Sequence, residues 1–276
     1  MRTGKASYTA QQTAYLRAAH QIFDNGAIFC DPTALAIIGK SEQELRDLWV
    51  TYPQELTTRM LMACRARFAE DNLKQAVNAG IRQYVVLGAG LDTFAIRNPY
   101  SKLGLKVFEV DHPDTQAWKR ERLLRSNLKA DAAFTPVDFE RQDLTEELAR
   151  AGFDHKAPAC FSWLGVVMYL TGAASDATFR MIAALPQGSS VTFDYAAFPQ
   201  NPAQAEFDVI MRTHLEGLGE PVTAARAPDV FAAGLRNLGF AGVKDYPLAE
   251  FAELLGVDHE LCETVWRIAC ASTARS

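Results

Sequence analysis

Acidic residues and glycines at the ends of apolar runs are where this sequence carries material for chemistry. The run Tyr84-Val85-Val86-Leu87 passes directly into Gly88-Ala89-Gly90-Leu91-Asp92-Thr93. Glycines at such a point permit positive φ and let a ligand come close to the backbone. A dinucleotide site would ask for a third glycine where Thr93 stands, with a pyrophosphate resting on a helix N-terminus. Asp92, one residue earlier, would repel that phosphate. Beside a sulfonium and an ammonium the same carboxylate is favourable. The turn therefore points to S-adenosylmethionine rather than to NAD. The plainer alternative is that Gly88 and Gly90 only make a tight turn and Asp92 only caps a helix.

A second acidic cluster follows about twenty residues later, in Phe108-Glu109-Val110-Asp111, where nucleotide-binding α/β folds place the carboxylate that takes ribose hydroxyls. Strand alternation puts Glu109 and Asp111 on one side, and Asp111, nearer the end, is the better ribose ligand. A third acid stands in Val137-Asp138-Phe139, where Asp138 can accept from an adenine amino group. The segment Ser162-Trp163-Leu164-Gly165-Val166-Val167-Met168-Tyr169 then offers Gly165 for a close approach and Trp163, Met168 and Tyr169 as pocket walls.

An alcohol or phenol acceptor needs a base within hydrogen-bond reach, whereas a carboxylate is ionised at neutral pH and needs none. The candidate bases are His20, His112, His155, His214 and His259, and His214 is the most suggestive because of the segment it occupies. Tyr169 and Tyr195, at strand ends, are placed to orient an acceptor.

These residues need elements to hold them. Strand-like runs fall at 84–87, 105–110, 134–137, 159–163 and 190–195, separated by helical segments at 93–100, 113–129, 142–151 and 173–185. Alternation of this kind predicts parallel strands joined by right-handed crossovers, with helices on both faces. Ahead of them, residues 1–80 read as a helical arm, with Asp31 as an N-cap and Pro32 as a first helical residue. Residues 81–195 form the expected core. Residues 196–226, rich in Pro, Gly and Ala with a helical centre at 205–215, are expected to cap the strand ends where α/β sheets bind ligands. In 227–276 a helix at 228–238 precedes two strands, 243–246 and 263–271, predicted to pair antiparallel at the sheet edge.

The 276 residues allow one large α/β domain, and a content of 49% apolar and 22% charged residues suits a sizeable core. A formal net charge of -5 argues against nucleic acid as partner and leaves a small organic molecule as the default. The five cysteines are odd in number and form no C-x-x-C pair, so a metal site or disulfide framework has little support. Cys160 and Cys270 read as core. The sequence carries no apolar stretch of signal or membrane-spanning length, and a cytoplasmic protein is expected.

With these residues in view, the chain resembles the leucine carboxyl methyltransferase family of class I methyltransferases, and within it the bacterial small-molecule O-methyltransferase branch. The matching pieces are Arg65-Ala-Arg67-Phe68-Ala-Glu-Asp71, the segment 83–93, Phe108-Glu-Val-Asp-His-Pro113, Val137-Asp138 and the segment 163–170, in the family's order. The resemblance implies a Rossmann-like seven-stranded sheet, mostly parallel with an antiparallel edge strand. It implies S-adenosylmethionine as methyl donor, leaving as S-adenosylhomocysteine, and a small-molecule acceptor. It also implies that Arg65 or Arg67 pairs with the cofactor carboxylate. Gly88, Ala89 and Gly90 would underlie its methionine part, Asp111 would hold the ribose, and Asp138 with Phe139 the adenine; Trp163 belongs to the same constellation. Many members carry a glutamate at the position of Leu164 to hold the cofactor ammonium, so here Asp92 or backbone carbonyls would take that contact. Two other classes stay open on the residues: a nicotinamide-dependent oxidoreductase, and a non-catalytic binding module on the same fold.

Overall fold

The computed structural model describes residues 7–50, 56–257 and 264–274. Seven strands form one sheet in the order β3-β2-β1-β4-β5-β7-β6: β1 (Gln83–Leu87), β2 (Lys106–Asp111), β3 (Ala133–Pro136), β4 (Cys160–Trp163), β5 (Ser190–Ala196), β6 (Gly242–Pro247) and β7 (Trp266–Ser272). β1 to β5 pair in parallel, and β7 runs antiparallel to both β5 and β6. The antiparallel pairing thus lies at this edge of the sheet, as expected, with β7 the reversed strand one place in. β6, the edge itself, points the same way as β1 to β5. Glu263, where the last strand was predicted to start, lies outside the described residues.

The central strands explain the stability of this layer. Every residue of β1 is buried, as a strand covered on both faces must be. Alternate residues serve opposite faces. Val85 and Leu87 join Phe108, Phe161, Trp163, Phe179 and Phe193 on one side. Tyr84 and Val86 join Leu73, Val77, Phe94 and Val107 on the other. The first core is closed by α7 (Leu144–Arg150), α8 (Gly172–Ala183) and α10 (Pro228–Asn237), and the second by α4 (Leu56–Asn78) and α5 (Phe94–Arg97).

The helices ahead of β1 are α1 (Tyr8–Phe23), α2 (Ala34–Ile38), α3 (Glu42–Val50) and α4. They do not stand apart. Ala14, Ala18, Ile37, Ile38 and Leu45 pack with Leu91 and with Leu123 of α6 (Pro113–Arg125) in a core of their own. Polar bonds hold the same junction: Arg17 of α1 donates to the Leu91 carbonyl at 2.6 Å. Asp31 does not begin a helix as predicted, since α2 starts at Ala34. Its carboxylate is fully buried, 3.4 Å from Arg17 and 3.7 Å from Arg97, and it accepts from Thr93 at 2.6 Å. The two arginines hold that carboxyl below its ordinary range despite its burial. A short helix that sequence reasoning passed over, α11 (Leu248–Leu254), buries Leu248, Phe251 and Ala252. Between β5 and α10 lies α9 (Pro202–Gly217), started by Asn201, whose side chain accepts from Gln204. Among the described residues no helix is long and apolar enough to cross a membrane.

Candidate active site

A cavity of about 590 Å³ opens at the carboxyl ends of β1, β2 and β4, the end at which open α/β sheets bind ligands. Its floor is the turn after β1. Gly88 has φ +66°, and a Cβ there would lie 2.2 Å from Val166, so no larger residue fits without moving β4's exit. The turn is tied to β2: Ala89 N–H donates to the Val110 carbonyl at 3.0 Å, and Gly90 N–H donates to Asp111 Oδ2. Asp92 Oδ1 accepts from Phe94 N–H at 2.8 Å, at the start of α5, while the residue also lines the cavity. Helix capping and cavity lining are therefore compatible roles for it.

Asp111 lines the cavity at the end of β2. Besides Gly90 it takes His112 N–H at 2.6 Å on Oδ1. Each oxygen so used keeps acceptor capacity, which suits a pair of ribose hydroxyls. Burial pushes its carboxyl above the ordinary value, with the two backbone amides pulling it back. Glu109, two residues earlier on the strand, goes elsewhere: it meets Lys119 of α6 at 2.6 Å with both side chains 1% exposed. Asp138 and Phe139 line the same end of the cavity. Asp138 Oδ1 accepts from Glu140 N–H at 3.0 Å, and the Phe139 ring lies 6.2 Å from that of Trp163.

At the far side of the turn, Arg65 of α4 lines the cavity. Its Nη1 donates to Asp194 of β5 at 2.7 Å. Arg67 does not reach the cavity. Two residues turn an α-helix through about 200°, so Arg65 and Arg67 cannot face one way, and Arg67 instead pairs with Asp71 at 2.6 Å on the surface. Leu164 lines the cavity beside Gly165 and Val166, without a charge to offer.

Beyond this end the walls change character. Leu16, Leu61, Met62, Met168, Phe207, Met211, Leu215 and Trp266 make them largely apolar. Phe207, Met211 and Leu215 come from α9. The polar groups here centre on Tyr169, Thr9 and Glu220. Glu220 accepts from Ser7 Oγ at 3.2 Å and Tyr8 N–H at 2.9 Å, and from the Thr9 hydroxyl. The start of α1 is thereby clasped to the segment after α9. Tyr169 lines the same wall, and its phenol is pushed well above its ordinary pKa first by burial and then by the Glu220 charge.

Three sequence expectations meet corrections here. His214, in the last turn of α9, is exposed and does not line the cavity; Leu215 beside it takes the inward position. Trp163 is fully buried among Phe139, Phe179 and the core, beneath the cavity rather than on its wall. Tyr195 does not line the cavity and donates to Asp245 of the edge strand β6 at 2.6 Å. Of the other histidines, His112 lines the cavity beside Asp111. His20 is buried in α1, His155 lies near the Thr145 carbonyl, and His259 lies outside the described residues. Asp194 and Glu220 are the functional-looking residues the sequence reading passed over. An acid inside Val191-Thr192-Phe193-Asp194-Tyr195, an otherwise apolar strand, was the available signal for the first. Nothing local marked the second.

Residues 10–183 match the family model for leucine carboxyl methyltransferase. A Bacillus subtilis protein, YktD, described as a candidate S-adenosyl-L-methionine-dependent methyltransferase, is 33% identical over 71% of this chain and 73% of its own length. One from Mycobacterium avium, described alike, is 33% identical over 70% of this chain and 72% of its own. Among solved structures, a candidate methyltransferase from Thermobifida fusca superposes with a TM-score of 0.61 at 19% identity, covering 98% of this chain and 96% of that one. A DUF574 family protein from Streptomyces avermitilis gives 0.58 at 15% identity, with 97% of each chain covered. These two likenesses concern the fold. The chain belongs to the leucine carboxyl methyltransferase family.

Proposed function

For a chain of this family, we propose that it is an S-adenosylmethionine-dependent O-methyltransferase whose acceptor is a small, largely apolar molecule bearing a carboxylate or a hydroxyl. The observation that carries the reading is the convergence of Gly88–Asp92, Asp111, Asp138 and Arg65 on one cavity. The donor set fits the cofactor piece by piece. Asp111 offers acceptor capacity to ribose hydroxyls, Asp138 and Phe139 an acid and a ring to adenine, and Arg65 a guanidinium to the carboxylate. Asp92 and the backbone carbonyls of the turn are left for the ammonium.

When bound, S-adenosylmethionine supplies an electrophilic methyl group on a sulfonium, and its transfer neutralises charge, so positioning carries much of the catalysis. The chain's own contribution is a largely apolar acceptor compartment with polar groups at one end. Tyr169, held neutral by burial, is a hydrogen-bond donor to an acceptor oxygen. Glu220, which lines the same end, is the carboxylate there to which a hydroxyl proton would pass. The segment 196–226 serves as the cap over the acceptor, through α9. His214 has no part in this reading.

The test is transfer of an isotopically labelled methyl group to a panel of apolar carboxylic acids, phenols and alcohols. Labelled ester or ether formed together with S-adenosylhomocysteine is the expected result. Cofactor binding without transfer to any member of a broad panel would favour a non-catalytic binding module on this fold.

A further inference from the structure

Behind the cavity wall stands a buried carboxylate that takes no part in the lining. Asp194 lies in β5, is wholly buried, and is absent from the cavity lining. Burying an ionised carboxylate is costly unless it is paired and hydrogen-bonded. Its two partners are both parts of the methionine end of the site: Oδ1 takes Gly165 N–H at 2.5 Å and Oδ2 takes Arg65 Nη1 at 2.7 Å. Gly165 has φ +72°, and a Cβ there would lie 3.0 and 3.1 Å from the two terminal nitrogens of Arg65. The guanidinium is therefore packed against the Gly165 backbone and tethered from below by the same carboxylate that tethers that backbone.

This arrangement bears on charge as well as geometry. The amino-acid end of the cofactor is a zwitterion, and Leu164 gives it no counter-charge. An unpaired Arg65 would offset the Asp92 charge left for the ammonium, favouring the carboxylate at the ammonium's expense. With Asp194 bound behind it, the pair is neutral overall, and the guanidinium still faces the cavity.

We propose that Asp194 is a positioning residue for cofactor binding: it orients Arg65 and the Gly165 amide and balances their charge. The proposal rests on the cofactor reading above. It predicts a selective defect, confined to ligands that carry the amino-acid end.

The measurement is a calorimetric titration of the full chain and its Asp194→Asn variant with two ligands. S-Adenosylhomocysteine has the amino-acid end; 5′-methylthioadenosine lacks it. Asn keeps the shape and one acceptor but removes the charge. The expected result is a loss of about tenfold in affinity for S-adenosylhomocysteine, with methylthioadenosine binding unchanged within about twofold. Equal losses for both ligands, or no loss for either, would overturn the proposal. If Asp194→Asn does not fold, Arg65→Lys decides instead. It keeps a charge opposite Asp194, but an ammonium committed to that carboxylate offers the cavity no second edge as a guanidinium fork does. The same selective loss is expected, and wild-type affinity for S-adenosylhomocysteine would refute the orienting role. Failure of the unaltered chain to bind either ligand is a different outcome, which counts against the cofactor reading itself.

Discussion

At the scale of single residues, the site divides into groups that touch the cavity and groups that hold them. Asp111 is the sharpest case of the first. Its carboxylate is fixed by two backbone amides, one from the glycine turn and one from the residue after it, so the position proposed for the ribose is set by the same bonds that join β1 to β2. Replacing Asp111 by Ala is expected to weaken S-adenosylmethionine binding by about 1–3 kcal/mol, the order for losing partners of ligand hydroxyls, and an unchanged dissociation constant would show that another acid holds the ribose. The sign of the pH dependence follows from the raised carboxyl. In the proposed role the ionised form accepts from both hydroxyls, so affinity is expected to fall as pH drops through a point above the ordinary aspartate value, and Asp111→Ala to flatten that fall. Arg65 and Arg67 show what sequence spacing does and does not say. The motif offers both, while helical periodicity, readable in the sequence, allows only one to face inward. Asp194 was harder to foresee because its role comes from two partners 129 and 29 positions away along the chain.

At the scale of elements, the strands were legible because each is a short apolar run ended by glycine, proline or an acid, and the core strands fall within a residue or two of where those runs end. The order of the last two strands was not legible: alternating burial marks a strand but says nothing about which neighbour it inserts between. α11 escaped because it lies between the last two strands, where no parallel crossover calls for a helix. Asp31 misled because an acid before proline resembles a cap, whereas Arg17, Arg97 and Thr93, which claim it here, come from distant segments. The junction of β2 with α6 makes its own prediction. Glu109 and Lys119 are a buried pair at 2.6 Å, and removing one partner leaves a bare charge in the core. Lys119→Met should cost about 3–5 kcal/mol in denaturant unfolding, and the double replacement Glu109→Met with Lys119→Met should recover most of it. A cost under about 1 kcal/mol for the single change would mean that water or rearrangement already satisfies Glu109.

At the scale of the molecule, the helices ahead of β1 and the segment after β5 meet over one end of the sheet. Arg17 reaches the glycine turn from α1, and Glu220 draws Ser7, Tyr8 and Thr9 towards the segment after α9. In the proposed reading most cofactor pieces come from the strand ends, with Arg65 from α4, and much of the apolar acceptor wall comes from α1, α4 and α9. That division explains why the cofactor side could be read from motifs while the acceptor side could not: strand ends impose fixed residue types, but an apolar wall assembled from α1, α4 and α9 carries no motif. The central claim is that the turn Gly88–Asp92 serves S-adenosylmethionine and not a dinucleotide. Titrating the full chain with S-adenosylmethionine and with NADH tests it most directly. The account predicts saturable binding of S-adenosylmethionine, one per chain, and none of NADH; preferential binding of NADH would contradict it.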